Sequence, residues 1–215
     1  MQAVIFDMDG VLVDSERVCL EAFRYAGEKN GVADAERMAV LGLGLTDPAW
    51  EALFYAEFGN GEEALALLRD TEAYIARFYS ANPVPPKKGL RRVLPALRAA
   101  GYRLAVASSS PRETVYYRLE GAGVRDAFDV IVTGDMLRHS KPHPAIYLEA
   151  ARQLGCDPRD CYAVEDAPSG LRSATAAGCK TIFIPDLWRP ETEEPGLYVA
   201  RLADLDALGN YLGLQ

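Results

Sequence analysis

The sequence predicts an α/β fold, in which an all-helical cap domain is inserted into a doubly wound parallel sheet. Short apolar runs of strand length alternate with segments of helical periodicity, which is typical of a parallel sheet covered by helices on both faces. The interval between the first two runs, from Phe6 to Leu104, is far longer than one crossover helix requires. We therefore expect a core domain of residues 1–14 and 83–215 and a helical cap of residues 15–82.

The first predicted strand, residues 3–6, ends in a cluster of carboxylates that includes Asp7, Asp9 and Asp14. Ionised carboxylates held close together repel, and a divalent cation relieves that cost. Side chains alternate along an extended segment, so Asp7 and Asp9 can converge on one ion or one substrate group, while Gly10 lets the backbone turn beside it. A strand that runs into an Asp-Gly turn without special chemistry is the alternative interpretation.

Residues 15–80 are predicted to be helical, because apolar residues recur at helical spacing and no strand pattern interrupts them. Asp47 followed by Pro48 is typical of an N-cap and a first helical position. The Pro-rich stretch at 82–86 ends this block and is predicted to be a stiff linker. The cap is therefore expected to be bounded by Asp14 on one side and by this linker on the other.

The rest of the chain is predicted to alternate helices with strands. The tetrapeptide 110–113 matches a capping box, with Ser110 as N-cap, Pro111 at the first helical position and Glu113 at the third. In chain order the predicted elements are a helix at 89–100, a strand at 104–107, a helix that follows Ser110, a strand at 128–132, a helix that ends at 154, a strand at 161–164, a helix at 169–177, a strand at 181–184 and a helix near 202–212.

The composition is that of an ordinary globular protein. Hydrophobic residues make up 49% and charged residues 25% of the 215 positions. The four cysteines are widely spread and form no CxxC pair, so we expect reduced thiols and no zinc site. No apolar run approaches the ~20 residues that span a bilayer, and no basic segment precedes an apolar one near Met1. We expect a cytoplasmic protein without a membrane partner.

The net charge argues against nucleic acid as a partner. The chain carries a net charge of −8 and has a pI near 4.9, whereas binding to a phosphate backbone depends on clustered lysines and arginines. A few local cations could still hold a small anionic substrate. The chain is long enough to bury its own core, so we expect a monomer.

Polar side chains follow four of the predicted strands at their carboxyl ends. In a doubly wound sheet these ends lie at one edge, and ligands bind where the strand order reverses. Asp7 and Asp9 follow the first strand, Ser108 follows the second, Lys141 lies in the loop after the third, and Glu165 and Asp166 follow the fourth. The sequence therefore predicts one polar site at this edge of the sheet.

These motifs resemble the four signature motifs of the haloacid dehalogenase-like (HAD) hydrolase superfamily. The match consists of Asp7-Met8-Asp9-Gly10-Val11, Ser108 after a strand, Lys141-Pro142, and Glu165-Asp166, in that order. Residues 164–170 are especially similar to the branch of phosphatases and phosphoglucomutases that carries a helical cap after the first motif. The resemblance implies a Rossmann-like core of strand order 3-2-1-4-5 and a phosphoric monoester hydrolase.

The resemblance also implies catalytic and metal-binding roles. Asp7 would attack phosphorus and form an aspartyl phosphate, and Asp9 would protonate the leaving oxygen and then take a proton from water. Mg²⁺ would be held by carboxylates of Asp7 and Asp166 and by the backbone carbonyl of Asp9, because this ion prefers hard oxygen ligands. Glu165 would contribute through a bound water.

A second set of residues is expected to bind the phosphate of the substrate. By the same resemblance, the hydroxyl of Ser108 and the amide of Ser109 would donate to phosphate oxygens near the start of a helix. Lys141 would neutralise charge on both Asp7 and the transferring group. The expected substrate is a small phosphorylated metabolite such as a sugar phosphate.

Two other functions remain open. A mutase similar to β-phosphoglucomutase shares the core but carries basic residues on the cap loop, which hold the second phosphate of a sugar bisphosphate. The matching loop at 41–47 has no lysine or arginine, although Arg17 or Arg37 could reach in from elsewhere in the cap. A phosphate-binding protein without activity is the second alternative, and the presence of a proton-handling Asp9 argues against it.

Overall fold

A parallel sheet forms the centre of the computed structural model, which describes residues 2–190 and 195–214. Its strands are β1 (Ala3–Phe6), β2 (Arg103–Ser108), β3 (Val130–Thr133), β4 (Cys161–Glu165), β5 (Lys180–Phe183) and β6 (Ala200–Arg201). Their order is β3-β2-β1-β4-β5-β6, and each neighbouring pair is parallel. The predicted fold class and the order of the first five strands are confirmed. The short edge strand β6 was not predicted.

The helices fall into two groups along the chain. Between β1 and β2 lie α1 (Ser15–Asn30), α2 (Arg37–Leu41), α3 (Asp47–Phe58), α4 (Glu62–Ala81) and α5 (Leu90–Ala99). The later helices are α6 (Arg112–Gly121), α7 (Ala145–Leu154), α8 (Pro168–Ala176) and α9 (Leu205–Tyr211). Among the described residues, no helix combines the length and the apolar character needed to cross a bilayer.

Both faces of the sheet are buried, which explains why its strands are apolar without alternation. In β1, Val4 and Phe6 point to one face and pack with α5, α6 and α9, whereas Ala3 and Ile5 point to the other and pack with α7. All four side chains are fully buried. Full burial of a Val, Ile or Phe side chain contributes about 1.5–3 kcal/mol to stability. Packing therefore stabilises β1 directly before Asp7.

The helices α1 to α4 share a hydrophobic cluster of their own. Phe23, Met38, Phe54 and Leu67 form its buried centre, one from each helix. These residues do not belong to the clusters that cover the sheet. A separate cluster is what an inserted helical unit requires for its own stability, and the division into core and cap domains stays a prediction.

The two connections between the sheet and helices α1 to α4, at residues 12–14 and 85–87, lie side by side. The amide of Asp14 donates to the carbonyl of Pro85 at 2.8 Å, and the amide of Lys87 donates to the carbonyl of Leu12 at 2.9 Å. The ammonium of Lys87 lies 3.1 Å from Asp14 and 2.9 Å from the buried Asp186. Backbone hydrogen bonds and ion pairs therefore hold the two connections together.

The predicted capping box at Ser110 is wrong. Pro111 occupies the N-cap position of α6, and no side chain caps the first turn of that helix. The Ser110 hydroxyl instead donates to Oδ2 of Asp9 at 3.2 Å. It therefore does not cap the helix. The predicted N-cap at Asp47 is also displaced, because Thr46 holds the N-cap position of α3.

Candidate active site

The register of the sheet brings the predicted site residues to one edge. Phe6, the last residue of β1, is aligned with Val164 of β4. Asp7 and Glu165 therefore leave the sheet at the same level, and Ser108, the last residue of β2, lies one level further. The amide of Asp7 still donates to the carbonyl of Val164 at 3.0 Å, so sheet pairing fixes the backbone of Asp7.

Asp7, Glu165 and Asp166 form a buried group of carboxylates. One oxygen of each lies within 4.8 Å of the others. Oδ2 of Asp166 is buried and has no hydrogen-bond partner among the described residues. Gly10 makes room for this oxygen, because a Cβ added to Gly10 would lie 2.1 Å from it. Hard oxygen donors, one of them unpartnered and buried, fit a divalent cation such as Mg²⁺.

Electrostatics in this group favour a cation. Burial raises the pKa of Asp7 to about 8, although the charge of Lys141 lowers it. Burial, and then the charges of Asp7 and Glu165, raise the pKa of Asp166 well above its ordinary value. Each shift records a penalty on the ionised form. A cation among the carboxylates would offset that penalty.

Lys141 lies behind Asp7 and is almost completely buried. Its ammonium donates to Oδ1 of Asp7 at 2.5 Å, to Oε1 of Glu165 at 2.6 Å and to the carbonyl of Ala107 at 3.1 Å. Burial alone would lower the pKa of Lys141, but the charges of Asp7 and Glu165 raise it above its ordinary value. Lys141 is therefore a fixed positive charge at the edge of the sheet.

Tyr147 of α7 supports this pair and was not predicted from the sequence. Its hydroxyl donates to Oε1 of Glu165, and its ring centroid lies 5.3 Å from the Lys141 ammonium. Along the sequence Tyr147 is one more apolar position of a helix that covers the sheet, so no local pattern distinguishes it. Glu165 is thereby held towards Lys141 through one of its two oxygens.

The two serines predicted to bind phosphate lie at the carboxyl end of β2 and have different surroundings. Oγ of Ser108 is buried and accepts from the amide of Ser110 at 3.2 Å. The Ser109 hydroxyl donates to the carbonyl of Gly44, which lies between α2 and α3, at 3.0 Å. Both serines lie immediately before α6, where backbone N–H groups have no partner within the helix. Ser109 also lines the cavity of the site.

The loop between α2 and α3 lies against the core and covers the site. Gly44 has a φ of +72°, and a Cβ at this position would lie 2.3 Å from Oγ of Ser169. The Ser169 hydroxyl donates to the carbonyl of Leu43 at 3.2 Å. Gly44 borders a cavity of about 130 Å³ that is lined from the core by Asp7 and Asp166. A glycine is therefore needed where the loop meets α8.

Asp9 faces a different set of partners from Asp7. Its carboxylate accepts from the hydroxyls of Ser15 and Ser110, at 2.5 Å and 3.2 Å, and from the guanidinium of Arg118. Its side chain is not one of the three carboxylates grouped around Asp7. The expected contribution of its backbone carbonyl to the metal stays a prediction. Arg118 was missed because a single arginine on a helix carries no sequence signal for a site.

Glu16 of α1 also faces the cavity, and its carboxyl was not predicted as a site group. Burial, and then the charge of Asp9, raise the pKa of Glu16 to about 8. No described residue forms a hydrogen bond or an ion pair with it. Between about pH 4.5 and pH 8, Glu16 is therefore protonated in the folded protein and ionised in the unfolded chain.

Replacing Glu16 by Gln is expected to stabilise the protein at high pH. Because the folded state binds the proton more tightly, the free energy of unfolding falls as pH rises through this window. The Glu16→Gln variant should exceed the native protein at pH 8 by about 1–2 kcal/mol, and the difference should shrink towards pH 5. Urea denaturation of metal-free protein at both pH values measures this. Glu28→Gln, an exposed change on the same helix, is the control, and a difference independent of pH would contradict the expectation.

Comparisons with known proteins identify the family of this chain. The family described as haloacid dehalogenase-like hydrolase matches residues 1–178. The chain is 34% identical over 209 residues to hexitol phosphatase B of Escherichia coli K12, and the alignment covers 94% of this chain and 90% of that protein. It is 32% identical over 189 residues to a phosphorylated carbohydrates phosphatase of Thermotoga maritima, which covers 85% of this chain and 84% of that protein.

A solved structure shares the whole architecture. The crystal structure of CbbY from Rhodobacter sphaeroides in complex with phosphate superposes with a TM-score of 0.77 at 26% identity, over 97% of this chain and 96% of that chain. The family match and the relatives named as phosphatases confirm the expectation of an enzyme. The chain belongs to the haloacid dehalogenase-like hydrolase family.

Proposed function

We propose that this hydrolase is a Mg²⁺-dependent phosphatase, which releases phosphate from a small phosphorylated carbohydrate through an aspartyl phosphate. The observation that carries the proposal is the position of Asp7, which contacts the buried Lys141 and belongs to the carboxylate group with Asp166. Relatives named for hexitol phosphates and for phosphorylated carbohydrates support the substrate class.

Asp7 is assigned as the nucleophile. One of its oxygens would attack phosphorus while the bond to the leaving oxygen breaks, and water would later release the phosphate from Asp7. Lys141 offsets the repulsion between this carboxylate and the anionic phosphate. Asp7, Asp166 and the carbonyl of Asp9 would hold Mg²⁺, with Glu165 acting through a water. When bound, the ion supplies positive charge to the phosphate oxygens.

Asp9 is assigned as the acid and base. It lies two residues beyond Asp7, lines the same cavity and stands apart from the grouped carboxylates. It would give a proton to the leaving oxygen and later take one from the attacking water. Ser108 and the amide of Ser109 would donate to phosphate oxygens, consistent with their place between β2 and α6.

The mutase alternative finds no support in the cap. Arg17 pairs with Asp186 at 2.8 Å, and Arg37 pairs with Glu57. Neither arginine lines the cavity, and no cap residue among the described ones contributes a cation to it. A second phosphate would therefore lack a counter-charge from the cap.

Phosphate release tests the proposal. We expect hydrolysis of sugar and sugar-alcohol monophosphates, a loss of at least about 10²-fold after chelation of divalent ions, and recovery on addition of Mg²⁺. Full activity in the presence of chelator would contradict the metal requirement. Isomerisation of glucose 1-phosphate with a bisphosphate requirement would favour the mutase, and Mg²⁺-dependent ligand binding without turnover would favour an inactive binding protein.

A further inference from the structure

Arg118 is the part of the site that the proposed chemistry does not use. It lies on α6 of the core, and its guanidinium donates to Oδ1 of Asp9. Its side chain is 20% exposed. Among the described residues that line the cavity it is the one cation, because Lys141 lies behind Asp7 and does not reach the cavity.

Most of the hydrogen-bonding capacity of Arg118 is unused. Burial alone would lower the pKa of Arg118, but the charge of Asp9 raises it, so the guanidinium keeps its charge. A guanidinium has five N–H donors and no acceptor. The contact with Asp9 is the one hydrogen bond that the Arg118 side chain makes within the described residues. A ligand that meets it must therefore bring acceptor oxygens.

The charges around Arg118 disfavour a second anionic group on that ligand. Four carboxyl groups line the cavity, those of Asp7, Asp9, Glu16 and Asp166. Lys141 and a bound divalent ion would balance the reacting phosphate, and Asp9 already balances Arg118. A second phosphate would add negative charge beside these carboxyl groups with no further cation, which costs free energy in a buried site.

Hydroxyl groups of a ligand would suit this end of the cavity. They would accept from the free N–H groups of Arg118 and donate to Glu16, whose carboxyl has no hydrogen-bond partner among the described residues. The indole of Trp50 lines the same cavity and adds apolar surface that suits carbon-bound hydrogens. Arginine, a carboxyl group and an aromatic ring together suit a polyhydroxylated chain.

Resting on the phosphatase function proposed above, we infer that Arg118 is a specificity residue, which binds hydroxyl oxygens of an uncharged, polyhydroxylated leaving group through its free N–H groups and keeps its contact with Asp9. Specificity then comes partly from the core helix α6 rather than from the cap alone.

A comparison of two monophosphates in Arg118→Met tests this inference. Sorbitol 6-phosphate and n-hexyl phosphate both leave as alkoxides that need a proton, so a loss that acts through Asp9 is the same for both. We expect the ratio of their kcat/KM values to fall at least about tenfold in Arg118→Met, mainly through KM for sorbitol 6-phosphate. Native protein should also prefer this monophosphate to fructose 1,6-bisphosphate.

Two further variants complete the test. Arg112→Met removes an exposed arginine at the start of the same helix, and the substrate ratio should stay unchanged. Arg118→Lys keeps the charge without the planar fork and should give an intermediate ratio. Equal losses on both monophosphates would overturn the inference and assign Arg118 to the positioning of Asp9. A native preference for the bisphosphate would also overturn it, whereas no phosphate release from any substrate would count against the phosphatase function itself.

Discussion

Replacing Asp7 by Asn is expected to lower the release of p-nitrophenol from p-nitrophenyl phosphate by more than about 10³-fold. An amide has nearly the shape of the carboxylate but cannot attack phosphorus. p-Nitrophenolate leaves without an acid, so this substrate isolates the nucleophile from the proton transfer assigned to Asp9. The steady-state rate with saturating Mg²⁺ measures the loss.

The fold should survive this change. The Asn side chain fits the space of Asp7, and Lys141 keeps its contact with Glu165 at 2.6 Å. Circular dichroism and the urea midpoint should stay close to native values. Asp34→Asn is the matched control, because Asp34 is exposed and has a positive φ that Asn tolerates. Undiminished hydrolysis in Asp7→Asn would show that another group attacks phosphorus.

Replacing Lys141 by Met is expected to reduce both stability and activity. The ammonium is 1% exposed and pairs with Asp7 and Glu165. Removing one partner of a buried ion pair leaves an uncompensated charge and costs about 3–5 kcal/mol. Phosphate release should fall by at least about 10²-fold, because the repulsion between Asp7 and the substrate phosphate would be left unbalanced.

Urea denaturation and Mg²⁺-dependent phosphate release measure the two effects in Lys141→Met. Lys88→Met is the matched control, because the Lys88 side chain is 73% exposed and pairs with Asp204 at the surface. Exposed ion pairs contribute about 0–1 kcal/mol. If both variants lost the same small amount of stability, the buried pair would not stabilise the edge of the sheet as the structure indicates.

Much of the sheet and four of its site residues could be predicted because they depend on short stretches of chain. Both faces of each central strand are covered, so the strands appear as apolar runs. The residue after such a run lies at the carboxyl edge of the sheet. Asp7, Glu165 and Asp166 needed nothing more than this rule to be brought together, and Lys141 joins them from the loop that follows β3.

The helix ends were less predictable, because side chains there have competing partners. Ser110 has the spacing of a capping residue, yet its hydroxyl contacts Asp9. At the start of α1 the Asp14 side chain makes no capping hydrogen bond, and the Ser15 hydroxyl donates to Asp9. Local patterns count the partners that are near in sequence, whereas the fold brings in partners that are distant in sequence.

By itself the sequence determined the α/β class, the run of helices between the first two strands, and the residues at the strand ends, because each follows from periodicity or from position in a short segment. Only the tertiary structure decided that Arg118, Glu16 and Tyr147 belong to the site. Each lies on a helix whose contacts with the site depend on tertiary packing. Arg118 is 109 residues from Asp9 in the sequence, and Tyr147 is 18 residues from Glu165. The residues at the strand ends can thus be predicted from short segments of sequence, whereas the residues around them depend on how the helices pack.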